Sequence, residues 1–507
     1  MPTATKANQY LGTADLKVDL GLRTARGGAV TVGSQGVKFF LSMFATVILA
    51  RLLTPRDYGL VGMVAVVTGF ISIFKDLGLS SATIQRADLN EGQVSTLFWV
   101  NISFSVLIMF VTVAISPLVA RFYGEPRLGP ITIAYSAGFL LGGLTVQHEA
   151  LLRRRMRFGG LAAAEIFALL VGLSTGIYLA WRGKNYWALV FSQLSQGLAY
   201  AVAVWLICRW HPGLPVRNSG VRSLLAFGRN LTGFSIINYF ARNLDNLLIG
   251  RFWGGLELGL YARAYQLLML PIEQISAPIT SVAIPALSRL TDSPERYRNA
   301  YVRLIEKIAI LTMPLMVFMI ATSDWVVLLL LGPKWTGVSR IFALLAIAGF
   351  IQPVSGTAGW LYVTQGRTRQ MFQWGLIGSS IIIVSIVAGL PWGAVGVAAS
   401  YSITFILVVT PLSIWFVARE GPVRARDFYR AIAPPACASI SALAALVAFR
   451  QWSSLSQPLL RLALAFAIAT VVTVVVLVLI PAGRRLLRDL KGFAILLLRR
   501  EEITTAI

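Results

Sequence analysis

Apolar stretches of about 20 residues, each long enough to cross roughly 30 Å of hydrocarbon as a helix, recur along the whole chain between short polar breaks. Taking the runs between breaks places spans near 28–50, 59–84, 93–119, 129–150, 159–181 and 187–208. Eight more follow near 225–250, 258–287, 304–331, 338–364, 371–390, 394–418, 432–449 and 459–480. The pattern therefore predicts an all-α integral membrane protein with 14 transmembrane helices. Residues 1–27 are polar, and no short apolar core ending in a small-residue cleavage site precedes the first span, so no cleaved signal peptide is expected.

The chain also repeats itself. Arg51, Asp57, Gly59 and Leu60 at the end of the first span are matched at an offset of 200 by Arg251, Glu257, Gly259 and Leu260 at the end of the seventh. The same offset pairs polar positions inside the two spans: Gln35 with Ser235, Lys38 with Asn238, Ser42 with Arg242, Thr46 with Asn246. Spacings of three and four put each set on one helix face. A six-span unit returns the chain to its starting side, so two copies share one orientation and are related by an axis along the membrane normal. The expected architecture is two pseudo-symmetric six-helix lobes around a central cavity, plus two extra C-terminal helices. The expected divisions are an N-terminal segment 1–27, an N-lobe 28–208, an inter-lobe linker 209–224, a C-lobe 225–418, a helix pair 432–480 and a basic amphipathic tail 482–507.

Composition sharpens this picture. Of 507 residues, 56% are hydrophobic and 13% charged, and the mean hydropathy is +0.72. A globular enzyme with a small anchor is excluded. The formal charge of +24 would suggest a nucleic-acid partner in a soluble chain; here position matters, because cytoplasmic loops concentrate Lys and Arg. Arg153, Arg154, Arg155 and Arg157 after the fourth span mark an inner loop, and the overall bias predicts both termini in the cytoplasm and no nucleic-acid partner. Leu486, Leu487, Leu490, Phe493, Leu497 and Leu498, interleaved with Arg484, Arg485, Arg488 and Lys491, predict a tail lying on the inner leaflet. Cys208 and Cys437 show neither metal spacing nor a disulfide framework. No metal or cofactor is expected, and with no Walker-type loop ATP does not drive the chain directly. The longest outer loop is about ten residues on this topology, too short for catalytic machinery outside the membrane, so the expectation is a non-enzyme.

A charge at mid-helix costs about 2.5–3.5 kcal/mol on insertion scales, so it normally faces a bundle interior or water. Glu165, Arg229, Glu306, Lys307, Asp324, Arg340 and Arg461 lie near span ends and can reach headgroups. Lys38, Lys75, Asp76, Arg242, Asp245, Arg263 and Glu273 lie deeper. Arg242 and Asp245 are three apart and can pair along their own helix; adjacent Lys75 and Asp76 cannot. Two readings remain open for the group: a structural salt-bridge network between spans, or a hydrated electropositive cavity. Four cations in spans 1, 2, 7 and 8 would together cost roughly 10 kcal/mol in lipid, and a wet cavity removes that cost. Such a cavity suits a phosphate, which Arg binds by its planar fork and Lys as a point charge.

Weaker candidates complete the survey. His148 and Glu149 can relay a proton, though a satisfied interfacial histidine is the simpler reading. Pro271, Pro278 and Pro285, with Gly349, Pro353, Gly356 and Gly359, can bend helices. Tyr239, Tyr261, Tyr265, Trp360 and Tyr362 can contact sugar rings or anchor at interfaces.

The segments ARLLTPRDYGL (50–60), FKDLGLSSATIQR (74–86), LLRRRMRF (151–158), LDNLLIGRFWGGLELGLYARAYQL (244–267) and PALSRLTDSPERYRNAY (285–301) resemble the Wzx-type polysaccharide flippases. These belong to the multidrug/oligosaccharidyl-lipid/polysaccharide exporter superfamily, and the colanic-acid and rhizobial exopolysaccharide exporters are similar in flavour. The resemblance covers roughly residues 28–430. It implies alternating access that carries undecaprenyl-diphosphate-linked oligosaccharide across a bacterial inner membrane, beside a polymerase and chain-length regulator, with membrane lipids as surroundings. It places diphosphate-binding cations at Lys38, Lys75, Arg242 and Arg263, with Gln35 and Asn238 beside them. Coupling to protons or sodium would fall to Asp76, Asp245 and Glu273. Two rival readings are an ion-coupled drug efflux pump of the same superfamily, which the cation excess argues against, and a non-transporting scaffold of a polysaccharide assembly complex.

Overall fold

The computed structural model describes residues 20–76, 83, 90–216, 221–453 and 457–488. Every regular element among them is helical. The first six are α1 (Leu20–Leu52), α2 (Pro55–Asp76), α3 (Glu91–Tyr123), α4 (Leu128–Arg154), α5 (Phe158–Trp181) and α6 (Tyr186–Cys208). Then come α7 (Val221–Ser288), α8 (Pro294–Ala321), α9 (Ser323–Leu330), α10 (Thr336–Gly349), α11 (Gln352–Gly356), α12 (Ala358–Thr364) and α13 (Thr368–Gly389). The series ends with α14 (Gly393–Thr404), a π turn at Phe405–Val409, α15 (Thr410–Ala418), α16 (Ala425–Trp452) and α17 (Pro458–Leu479).

Among the described residues, eleven helices are long and apolar enough to cross a membrane, or twelve if the pair Pro333–Gly349 and Gln352–Thr364, bent by 47°, is one span. Two of the eleven are continuous stretches of 47 and 51 residues, Arg242–Ser288 and Thr368–Ala418. Each contains a local break. Gly254 leaves helical dihedrals at φ 79° and ψ −175°, a backbone state that favours glycine. The second stretch passes through a 3-10 turn at Leu390–Trp392 into Gly393 at φ 69°. Pro271, Pro278 and Pro285 instead stay inside α7. Local capping chemistry sets other ends: Asn90 and Gln93 close a capping box at the start of α3, and Gly124 ends it in the left-handed conformation at φ 67°.

The chain separates into two compact units, residues up to Gly259 and residues from Leu260. In the first, α5 and α6 pack through small residues: a Cβ on Gly172 would stand 2.7 Å from Gln196 Cβ, and one on Gly176 2.9 Å from Ser192 Cβ. Lipid offers no hydrophobic drive between helices, so close backbone approach supplies the dispersion contacts instead. Also inside this unit, the repeat-related glycines Gly59 and Gly259 meet. A Cβ on Gly59 would stand 1.6 Å from the Gly255 carbonyl oxygen, and one on Gly259 1.9 Å from that of Pro55. With the offset of 200, each contact is the other with the two segments exchanged, the signature of a two-fold self-complementary contact.

The second unit is built on aromatics. Tyr297, Tyr301, Trp360, Tyr362 and Phe428 are buried in one cluster, with Tyr297 Oη 2.6 Å from Thr364 Oγ1 and Tyr301 Oη 2.8 Å from Thr357 Oγ1. Within the 285–301 motif Leu287, Tyr297 and Tyr301 are core residues, while most of the other positions are exposed. α16 and α17 pack on each other and on α8, through a core of Val317, Phe318, Ala442, Leu446, Ala465 and Ala469. The start of the expected tail is helical, and Leu486 buries against Ile310, Ala438 and Leu477; the tail beyond Arg488 lies outside the described residues.

Candidate functional site: charged groups within apolar helices

Lys38 lies mid-way along α1, with only 21% of its side chain exposed, and forms an ion pair with Glu165 of α5. Glu165, expected to reach headgroups from a span end, instead neutralises Lys38. It sits two turns into α5. Gln35, one turn earlier on α1, is exposed.

Neighbouring groups extend this pair. Arg153 Nε and Nη2 donate to Glu149 Oε1 at 2.9 and 2.7 Å, an i,i+4 bridge on α4. Arg153 and Tyr200 of α6 both lie within electrostatic reach of Glu165, and the Tyr200 hydroxyl sits beside Glu149. Four helices thus converge on two cations and two carboxylates. Sequence spacing reveals the Glu149–Arg153 bridge; nothing local points to Glu165 or Tyr200, which join only through helix packing.

The other candidates are distributed differently. Arg242 is exposed, and among the described residues no ion pair joins it to Asp245, against the pairing expected from their spacing. Asp245 Oδ1 accepts from the Asn246 amide at 2.7 Å. Arg263 donates through Nη1 to Gln266 on its own helix, and Glu273 is exposed. Arg263 and Glu273 belong to the second unit; Lys38, Gln35, Arg242 and Asp245 belong to the first. The side chains of Lys75, Asp76, Asn238 and Arg229 lie outside the described residues, as does most of the 74–86 motif.

His148 is fully buried. Its Nε2 lies 3.1 Å from the Trp210 carbonyl oxygen, and its ring stacks on Trp205 at 4.2 Å. That is a core histidine held at Nε2 and packed among aromatic rings, while Glu149 faces Arg153 rather than serving as its relay partner. Tyr261, Trp360 and Tyr362 are buried in the core, so they offer no platform to a sugar ring. Tyr239 donates to the Val66 carbonyl at 2.6 Å.

At the loop between α3 and α4, Arg127 donates to both oxygens of Glu125 at 2.8 and 2.7 Å, and Arg56 adds a longer contact at 3.4 Å. Arg127 above all holds the Glu125 carboxyl down at about 2. In the second unit, a cavity of about 410 Å³ is lined by Thr291, Pro294, Tyr297, Thr364, Gln365 and Pro422. Beside it Arg367 ties the last turn of α15 and the loop after it by donating to Val417 O at 3.1 Å and Glu420 O at 2.7 Å.

A many-span helical protein that keeps ion pairs inside apolar helices has the build of a membrane transporter. A family model described as polysaccharide biosynthesis protein matches residues 48–340, more than half of the chain, and the chain belongs to that family. The teichuronic acid biosynthesis protein TuaB of Bacillus subtilis (strain 168) is 28% identical over 309 residues, 61% of this chain and 64% of that protein, so just under two thirds of its length is spanned. The lipopolysaccharide biosynthesis protein WzxC of Escherichia coli (strain K12) is 25% identical over 374 residues, 72% of this chain and 75% of that one. The solved structure of the lipid II flippase MurJ in its inward closed conformation superposes with a TM-score of 0.72 at 13% identity, covering 88% of this chain and 97% of that one. That likeness shows the fold, and the resemblance to the Wzx family expected from the motifs is matched by the family model and by WzxC.

Proposed function

We propose that this protein is a flippase that carries undecaprenyl-diphosphate-linked oligosaccharide repeat units across the bacterial inner membrane for polysaccharide assembly. Membership of the polysaccharide biosynthesis family carries the reading. It is supported by the fold shared with a lipid II flippase and by relatives named for teichuronic acid and lipopolysaccharide biosynthesis. Crossing a bilayer is costly for a sugar and a diphosphate and cheap for a polyprenyl tail, so the protein need house only the head group while the tail stays in lipid.

The proposal includes fourteen crossings. A helix of 47 residues is about 70 Å long, more than twice the roughly 30 Å of hydrocarbon, and the breaks at Gly254 and at Leu390–Gly393 fall where the sequence places loops. It includes lobes at 28–208 and 225–418 and both termini in the cytoplasm, supported by the offset-200 repeat and the arginines at 153–157. Alternating access exposes a hydrated cationic chamber to each side in turn. Lys38, Lys75, Arg242 and Arg263 receive the diphosphate with Gln35 and Asn238, and Asp76, Asp245 and Glu273 are the carboxylates for ion coupling. A polymerase and a chain-length regulator are the proposed partners. Replacing Lys38 and Arg242 together with Ala abolishes polysaccharide export while leaving membrane insertion intact; undiminished export by that double variant refutes the assigned cations.

A further inference from the structure

Lys38 is placed to receive a phosphate, yet Glu165 already holds it. The ion pairs Lys38–Glu165, between α1 and α5, and Arg153–Glu149, within α4, balance two positive and two negative charges, and Arg153 lies within electrostatic reach of Glu165. None of the four is sealed away: their side chains are 21%, 32%, 45% and 30% exposed. A buried pair repays its desolvation only where good geometry and further hydrogen bonds also satisfy its remaining lone pairs and protons. A pair left open to one side can instead be entered by a competing anion. Resting the cations on carboxylates also removes the cost of holding bare ammonium and guanidinium groups among apolar helices until the ligand arrives.

We infer that Glu165 is a competitive latch on Lys38: the diphosphate of the lipid carrier displaces the Glu165 carboxylate from the ammonium, and the carboxylate turns toward Arg153. This rests on the flippase reading and adds to it a positioning residue that sets how tightly the head group is held. The exchange is an anion-for-anion swap that breaks no covalent bond. Arg153 lies within electrostatic reach of Glu165, so the displaced charge has a cation to approach, and a diphosphate offers Lys38 more charge and more acceptor oxygens than a carboxylate does. Latch and ligand then hold Lys38 in alternation, so binding is tuned by the strength of the internal pair.

The test uses the full chain in lipid nanodiscs, with farnesyl diphosphate, farnesol and inorganic pyrophosphate as probes in calorimetric titrations. Glu165→Gln frees Lys38 and should tighten farnesyl diphosphate binding by up to about fivefold, since a partly exposed pair is worth up to about 1 kcal/mol. Lys38→Ala should weaken it, and Lys38→Ala with Glu165→Gln should match Lys38→Ala alone. Farnesol should be indifferent to all of these changes. Pyrophosphate following the same order assigns the effect to the diphosphate itself, and farnesyl diphosphate alone following it assigns the effect to the lipid-borne group; both agree with the latch. Glu165→Asp, which keeps the charge on a shorter arm, covers the case in which Glu165→Gln does not fold, and it too should bind more tightly than wild type. Wild-type affinity in a folded Glu165→Gln or Glu165→Asp variant overturns the latch while leaving flipping by the wild type intact. Failure of the wild type to bind any diphosphate or to move a lipid-linked oligosaccharide overturns the flippase reading, and the latch with it.

Discussion

At the residue scale, position along the helix says which charges are expensive, and the structure says how each is offset. Lys38 and Glu165 are 127 residues apart and meet only because α1 packs on α5. Asp427 shows the same logic at a helix start: almost fully buried, it pairs with Arg298 and accepts the Arg424 amide at 2.9 Å. Asp427→Ala removes a helix-start acceptor and the partner of a half-exposed arginine, and should cost about 0.5–2 kcal/mol, read as a lower melting temperature in detergent. Glu125 makes a pH-dependent contribution. Its folded carboxyl sits at about 2, below the ordinary 4.5, so its stabilisation is complete above about pH 4.5 and is lost as pH falls toward 2. Melting curves of the wild type and Glu125→Gln should therefore differ most near neutrality and converge as pH is lowered through that window; a constant difference contradicts the assignment.

Glycine decides more than proline at the scale of elements. The three prolines of α7 leave the helix running, as membrane helices can where neighbouring groups and local adjustment take up the freed carbonyls. The break comes at Gly254, where the backbone enters a region closed to most L side chains. Gly59 and Gly259 serve another purpose, letting the start of α2 lie against α7 backbone to backbone. Gly59→Leu and Gly259→Leu should each destabilise by about 1–3 kcal/mol or more, since the clash is with a carbonyl rather than a flexible side chain. Melting temperatures of the purified variants check this, and a neutral result for both contradicts the close crossing. The matched arginine, acid, glycine and leucine at offset 200 were legible in sequence; that the two glycines touch each other's segments was not, because a repeat reports similarity and not proximity.

For the whole molecule, export is the prediction that matters. Deleting the gene should abolish the surface polysaccharide and leave drug susceptibility unchanged; a rise in susceptibility with polysaccharide intact favours the efflux-pump reading instead. Hydropathy by itself determined that this is a many-span helical membrane protein, and the order and spacing of its motifs determined its family, because insertion energy is summed over consecutive residues and needs no knowledge of neighbours. Only the tertiary structure decided that Lys38 rests on Glu165, that Arg242 and Asp245 do not pair, and that Tyr261, Trp360 and Tyr362 are core rather than binding surface. Those outcomes depend on how each helix is rotated about its own axis and which face its neighbour covers, quantities set by packing between segments far apart in the chain.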